Sequence, residues 1–185
     1  KMLQLILSVI LLTIIALLAF SPVKIKFTTA GRGVKIPSKR KEDAGYDIYP
    51  YFSQQYIKID PHQTVMIPTG LKSSIPKSYY IQLAERGSVG SKGAALRCGV
   101  IDSGYRGKWF VPITNTTNRL MFIAKDPEYI KFHFGDDCIV FPYSKAICQA
   151  IIMPSYNTKW RRVSSVAFEK YESERGVGKL GSSGK

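Results

Sequence analysis

A chain of 185 residues with 27 lysines and arginines against 13 acidic residues carries a formal charge of +14. That length gives one domain with a real hydrophobic core beside a short appendage. Three cysteines without Cys-x-x-Cys spacing (Cys98, Cys138, Cys148) and two isolated histidines (His62, His133) argue against a disulfide framework and against a zinc site. The cations are spread along the chain and form no known nucleic-acid module, so no nucleic-acid partner is expected.

From Met2 to Phe20 no residue is charged, and only Gln4, Ser8 and Thr13 interrupt the apolar run. About 19 helical residues span roughly 29 Å, close to a bilayer core, so residues 1–22 read as a transmembrane helix. A secretory signal peptide has a shorter apolar region and a small-residue cleavage site; a buried core helix is the other alternative. Lys24, Lys26, Arg32, Lys35, Lys39, Arg40 and Lys41 follow the segment and only Lys1 precedes it. This asymmetry predicts a membrane partner and a domain anchored on the cytoplasmic side; without the span the domain is cytoplasmic.

Beyond Pro22 the pattern has a period of two. Val23, Ile25 and Phe27 alternate with polar residues, as do Ile57 and Ile59, Ile81 and Leu83, and Ile130, Phe132 and Phe134. These predict strands. Turn signals at Asp60-Pro61, Pro68-Thr-Gly70, Pro76-Lys-Ser78 and Asp126-Pro127 separate them, which predicts an all-β sandwich or barrel. Only Ser88 to Leu96 reads as a short helix.

Two segments carry chemistry. Gly99-Val-Ile-Asp-Ser-Gly-Tyr-Arg-Gly107 sets a carboxylate and an aromatic ring on one tight turn. Arg175 to Lys185 is a glycine- and serine-rich tail led by an arginine, which offers N–H groups, hydroxyls and a cation to phosphate oxygens. The tail lacks Walker A spacing; it reads as an arm that closes over a ligand or as a frayed terminus.

Five segments, in order, resemble the motifs of the trimeric deoxyuridine triphosphatases (dUTPases). They are Ala44-Gly-Tyr-Asp-Ile48, Arg86-Gly-Ser-Val-Gly-Ser-Lys92, Gly99 to Gly107, Lys145-Ala-Ile-Cys-Gln149, and Arg175 to Gly184. The resemblance spans residues 44–184 and suggests a member of viral or bacterial type. It implies an all-β, jelly-roll-like fold preceded by the N-terminal hydrophobic helix, with residues 23–174 as the β domain and 175–185 as a closing arm. It also implies a homotrimer whose sites lie between subunits, with different subunits supplying the floor, the phosphate contacts and the arm.

The activity implied is hydrolysis of dUTP to dUMP and pyrophosphate with Mg²⁺ as cofactor; a catalytically weak regulatory or interaction protein of the same fold is the alternative. Asp102 matches the general base that takes a proton from water attacking the α-phosphorus. Tyr105 would lie under the deoxyribose and exclude a 2′-hydroxyl, while backbone groups of Gly99, Val100 and Ile101 read uracil. Arg86, Ser88, Gln149, Arg175, Ser182 and Ser183 match positions that touch phosphates, Gly87 and Gly181 match substrate-binding positions beside them, and Arg175 resembles an arginine finger. Asp47 matches the aspartate that meets the metal through water; a structural strand-edge aspartate is its plain alternative.

Between Gly107 and Gln149 the chain is longer than in compact members of the family. Residues 115–143, with Leu120-Met-Phe-Ile123, Tyr129 to Phe134 and Ile139-Val-Phe141, predict an additional hairpin serving as a lid, a trimer-packing element or a partner surface. Three departures from the family pattern stand out: Arg86-Gly87-Ser88 for Arg-Ser-Gly, Tyr143-Ser144-Lys145 for Gly-Asp-Arg, and Leu180 for the phenylalanine that covers uracil. A lost base–aromatic stack is worth about 1–3 kcal/mol. Leu180→Phe is therefore expected to lower the KM for dUTP several-fold in steady-state assays, and an unchanged KM would count against the alignment of the tail.

Overall fold

The computed structural model of the chain describes residues 1–19, 22–97, 99–173 and 175–176. After a helix α1 (Met2–Ala19), twelve strands follow among the described residues: β1 (Lys26–Thr29), β2 (Tyr46–Ile48), β3 (Tyr56–Ile59), β4 (Thr64–Pro68), β5 (Leu71–Ser74), β6 (Tyr79–Ala84), β7 (Ala94–Leu96), β8 (Val100–Ile101), β9 (Phe110–Asn115), β10 (Met121–Ala124), β11 (Ile139–Pro142) and β12 (Cys148–Pro154). Short helices α2 (Gly87–Gly90), α3 (Pro127–Phe134) and α4 (Ser165–Phe168) interrupt them. The all-β class expected from the alternation is what the chain adopts.

The strands form four small sheets, ordered β1-β5, β11-β10-β3, β2-β12-β6-β8 and β4-β9-β7. Every pairing is antiparallel except β10 with β11. Strand β6 shows how pattern becomes packing: Ile81 and Leu83 are buried, while Tyr80, Gln82 and Ala84 are only partly covered. Ile81 pairs with Ile152 on one side and Ile101 on the other, inside a core that also holds Ile48, Ile67, Val111 and Ile113. Burying each such aliphatic side chain contributes about 1.5–3 kcal/mol.

The expected transmembrane helix, and with it the membrane as a partner and the membrane-anchored location, is overturned. Among the described residues no helix is long and apolar enough to cross a membrane. Helix α1 covers 18 residues, about 27 Å at the helical rise and short of a roughly 30 Å hydrocarbon core. Gln4, Ser8 and Thr13 lie within it, and the two hydroxyls donate to carbonyls one turn back, Ser8 to Gln4 and Thr13 to Val9.

The strand expected over residues 130–134 is a helix. Asp126 caps α3 by accepting hydrogen bonds from the amides of Glu128 and Tyr129, Pro127 begins the first turn, and Gly135, at a φ of 82°, ends it. Ile130 alone of the helix is buried, packing with Phe122 and Ala124 in a small core of its own. Tyr56, Phe122 and Phe134 close around it with ring centroids 4.8–5.8 Å apart. The 115–143 segment is thus a parallel β10-α3-β11 crossover and not a hairpin. The helix expected from Ser88 to Leu96 is likewise shorter, because residues 94–96 form β7 beside β9, and Val23 and Ile25 precede β1 without joining it.

Replacing Asp126 by alanine removes the only side-chain cap of α3 that meets two amides. The variant is expected to lose about 1 kcal/mol in urea unfolding, and a loss below a few tenths would mean that tertiary packing alone holds the helix.

Candidate active site

Three neighbouring strands place three of the sequence motifs in one row. Asp47 on β2 stands opposite Gln149 on β12, and Gln149 stands opposite Ala84 at the end of β6. Two residues past Ala84, Arg86 turns back towards β2. Its Nε lies 3.0 Å from Asp47 Oδ1 and Nη2 lies 3.4 Å from Oδ2, while Nη1 donates to the Ala146 carbonyl at 3.1 Å. Both side chains of the pair are about one-third exposed, so solvent screens the attraction and the value of the pair is geometric: a planar cation held in one orientation.

Gln149 is held as firmly. Its Nε2 donates to the Glu85 carbonyl at 2.9 Å. A Cβ on Gly45 would come within 2.7 Å of Gln149 Oε1 and 2.9 Å of its Cβ, so only glycine lets β2 lie this close to the glutamine. Next to it, Cys148 is buried, and that burial pushes its thiol up to about 12; Arg86 pulls it down and Asp47 pushes it up by smaller amounts. The thiol stays protonated and takes no part in the site.

The row opens onto a polar cavity of about 590 Å³ lined by Ser38, Lys39, Arg40, Asp43, Ala44, Gly45, Asp47, Arg86, Gly87, Ser88 and Gln149. Asp47, Arg86, Gly87, Ser88 and Gln149 were expected from the sequence. The contribution of residues 38–43 was not. Asp47 N–H donates to the Ser38 carbonyl at 2.8 Å, an isolated bridge that ties this loop to β2. The signal was visible as the run Lys39-Arg40-Lys41 next to the first motif, read instead as topogenic charge.

The third motif lines a different cavity, about 190 Å³, bounded by Met66, Val100, Ile101, Asp102, Tyr105, Lys108 and Phe110. The turn closes by a bond from Tyr105 N–H to the Asp102 carbonyl at 3.1 Å. The Tyr105 hydroxyl donates to the Lys108 carbonyl at 2.9 Å, which lays the ring across the hairpin. A Cβ on Gly107 would collide with that ring, and one on Gly99 would meet the Leu83 carbonyl oxygen at 2.6 Å. Asp102 itself is exposed, and Ile101 beside it is buried. Arg106 bonds back to the carbonyls of Ser103 and Tyr105 and so stiffens the turn.

Within one chain the two cavities do not merge. Strands β2 and β8 are the opposite edges of the β2-β12-β6-β8 sheet, three strand spacings or roughly 14 Å apart. Arg175 is exposed and makes an interaction of its own, and Gly176 follows it in a turn with φ of 53°. Leu180, Gly181, Ser182 and Ser183 lie outside the described residues. Among the described residues no three histidine, cysteine or acidic side chains converge on a metal position.

The tight fit of β2 against Gln149 gives a direct test. Gly45→Ala is expected to cost about 1–3 kcal/mol of stability by overpacking and to depress turnover with it. Gly45→Ala combined with Gln149→Ala should recover most of the stability and none of the turnover, measured by urea unfolding beside a nucleotidase assay.

A family model for dUTPase matches residues 32–127, which include the first three motifs and more than half of the chain. A deoxyuridine 5′-triphosphate nucleotidohydrolase of Leptospira interrogans is 27% identical over 147 residues, covering 78% of this chain and 86% of its own. The Pol polyprotein of caprine arthritis encephalitis virus is 30% identical over 155 residues, which are 84% of this chain and 12% of the polyprotein. Among solved structures, the Staphylococcus bacteriophage 80alpha dUTPase with dUpNHpp superposes with a TM-score of 0.66 at 24% identity, over 88% of this chain and 99% of the phage protein. The phage phi11 dUTPase, described for its species-specific insert, gives 0.61 at 22% identity, over 80% of this chain and 99% of that one. Taken with the five motifs and the row that gathers three of them, these likenesses show that the chain belongs to the dUTPase family and is a dUTP diphosphatase.

Proposed function

We propose that dUTP is hydrolysed to dUMP and pyrophosphate at a site shared between copies of this chain in a homotrimer, with residues 23–174 as the catalytic unit and residues 175–185 as the closing arm. The observation that supports this reading is the split just described. The cavity holding Arg86 and Gln149 and the cavity holding Asp102 and Tyr105 share no lining residue. A second copy that brings its own Asp102 hairpin to the Arg86 cavity completes a site that one chain lacks.

In that site the exposed Asp102 carboxylate accepts a proton from a water molecule as its oxygen bonds to the α-phosphorus. The bond from that phosphorus to the α,β-bridging oxygen breaks, and pyrophosphate departs with the electron pair. Arg86, Gly87, Ser88 and Gln149 bind phosphate oxygens, and Arg175, Gly181, Ser182 and Ser183 close over them from the arm. Arg86 meets the substrate already oriented by Asp47 and the Ala146 carbonyl, so little ordering is left to binding.

Backbone groups of Gly99, Val100 and Ile101 read the uracil edge, and Leu180 covers the base. Tyr105, latched to Lys108, presents a flat ring to the sugar. A 2′-hydroxyl against that ring has no partner, which costs about 1–3 kcal/mol before steric overlap. UTP is rejected for that reason.

The donor set suits Mg²⁺ held through water. Asp47 would offer hard carboxylate oxygens to the ion through water at the cavity wall. Bound there, it neutralises charge building on the phosphates.

The decisive experiment measures pyrophosphate release from dUTP. Asp102→Asn is expected to lower kcat by about 10²-fold or more with KM little changed, and Arg86→Gln to lower kcat/KM. Unfolding the two variants together and refolding the mixture should restore about one quarter of the wild-type activity, because that share of sites draws an intact Arg86 and an intact Asp102 from different chains. Activity in neither the wild type nor the mixture overturns the reading; an active wild type with no restoration overturns the shared site.

A further inference from the structure

We propose that Lys39 and Arg40, on the loop before β2, form a second cationic wall that binds the polyphosphate of the nucleotide in the same cavity as Arg86. This inference rests on reading that cavity as the phosphate side of the site.

Charge makes the case. The cavity lining holds three cations, Lys39, Arg40 and Arg86, and two carboxylates, Asp43 and Asp47. Arg86 is already matched by Asp47. Without Lys39 and Arg40 the lining carries one excess negative charge and repels a triphosphate; with them it carries one excess positive charge and attracts it. The two residues therefore decide the sign of the cavity.

Their placement suits the task. The Ser38–Asp47 bridge fastens the loop to the catalytic sheet. Lys39 Nζ is held by the carbonyls of Asp43 and Arg40 and stands 5.6 Å from the centroid of the Tyr46 ring, so the ammonium sits beside the first motif, held by carbonyls and a ring face. Arg40 meets Asp43 at 3.7 Å across an ion pair whose arginine is 92% exposed. A pair of that kind is weak, so a phosphate oxygen replaces Asp43 at small cost. The Asp43 carboxylate also accepts from Arg40 N–H at 3.0 Å and holds the turn while the guanidinium swings.

The recognised chemistry is the phosphate chain itself, with no part for base or sugar. Inorganic tripolyphosphate is therefore the probe, titrated into the full chain by calorimetry at low and high salt. The Lys39→Gln/Arg40→Gln variant is expected to bind it about ten-fold more weakly, to show a flatter salt dependence, and to raise the KM for dUTP by a similar factor. A control, Arg32→Gln/Lys41→Gln, removes two exposed cations that do not line the cavity and should change either constant by less than about two-fold. Equal losses in both variants would reduce the effect to overall charge and overturn the wall, as would unchanged tripolyphosphate binding in the first. Tripolyphosphate binding that depends on Lys39 and Arg40 in a chain releasing no pyrophosphate from dUTP would keep the wall and sink the hydrolase reading.

Discussion

The site depends on a single alignment: Asp47, Gln149 and the end of β6 stand in one row across three antiparallel strands. Antiparallel pairing carries side chains to alternate faces, so a slip of one residue in β2 or β12 would send Asp47 or Gln149 to the opposite face. Core packing guards the register. Ile48 and Cys148, paired with each other one step along, are almost wholly buried, and a slip would exchange them for the polar residues beside them. The hydrophobic effect thereby sets the position of Arg86 through the register of the strands beside it.

The same sheet explains the scattering of motifs along the chain. Strands adjacent in space are β2, β12 and β6, so residues near positions 47, 149 and 84 come together although the chain visits them out of order. Local turns then aim the side chains. Arg86 stands between β6 and α2, and Tyr105 folds back over its own hairpin, where Gly107 leaves space for the ring. Gly45 lies under Gln149 and Gly107 under Tyr105, which makes those motifs statements about clearance as much as about chemistry.

Much of this was legible in the residues. The alternation of Ile81 and Leu83 predicts β6, and the motifs point to Asp47, Arg86, Ser88 and Gln149, which line one cavity. Residues 130–134 were misread because Ile130, Phe132 and Phe134 satisfy a period of two; the Asp126-Pro127 start and the Gly135 stop carried the contrary signal, and in so short a segment capping outweighs alternation. The N-terminal run was misread through its composition, which resembles a membrane span more closely than does the helix it forms. In the sequence Lys39 and Arg40 look like part of a charge gradient, because nothing in a linear sequence tells that Ser38 bridges to Asp47.

The crossover β10-α3-β11 keeps its own small apolar nucleus of Phe122, Ala124 and Ile130, apart from the main core. Phe132 on the outer side of α3 is 85% exposed and belongs to neither. Such a division leaves the outer face of α3 outside both packed cores, while Met121, Ile123, Ile139 and Phe141 tie the flanking strands to the main one. A protein built this way can acquire or lose an external face without retuning the chemistry that the other half performs.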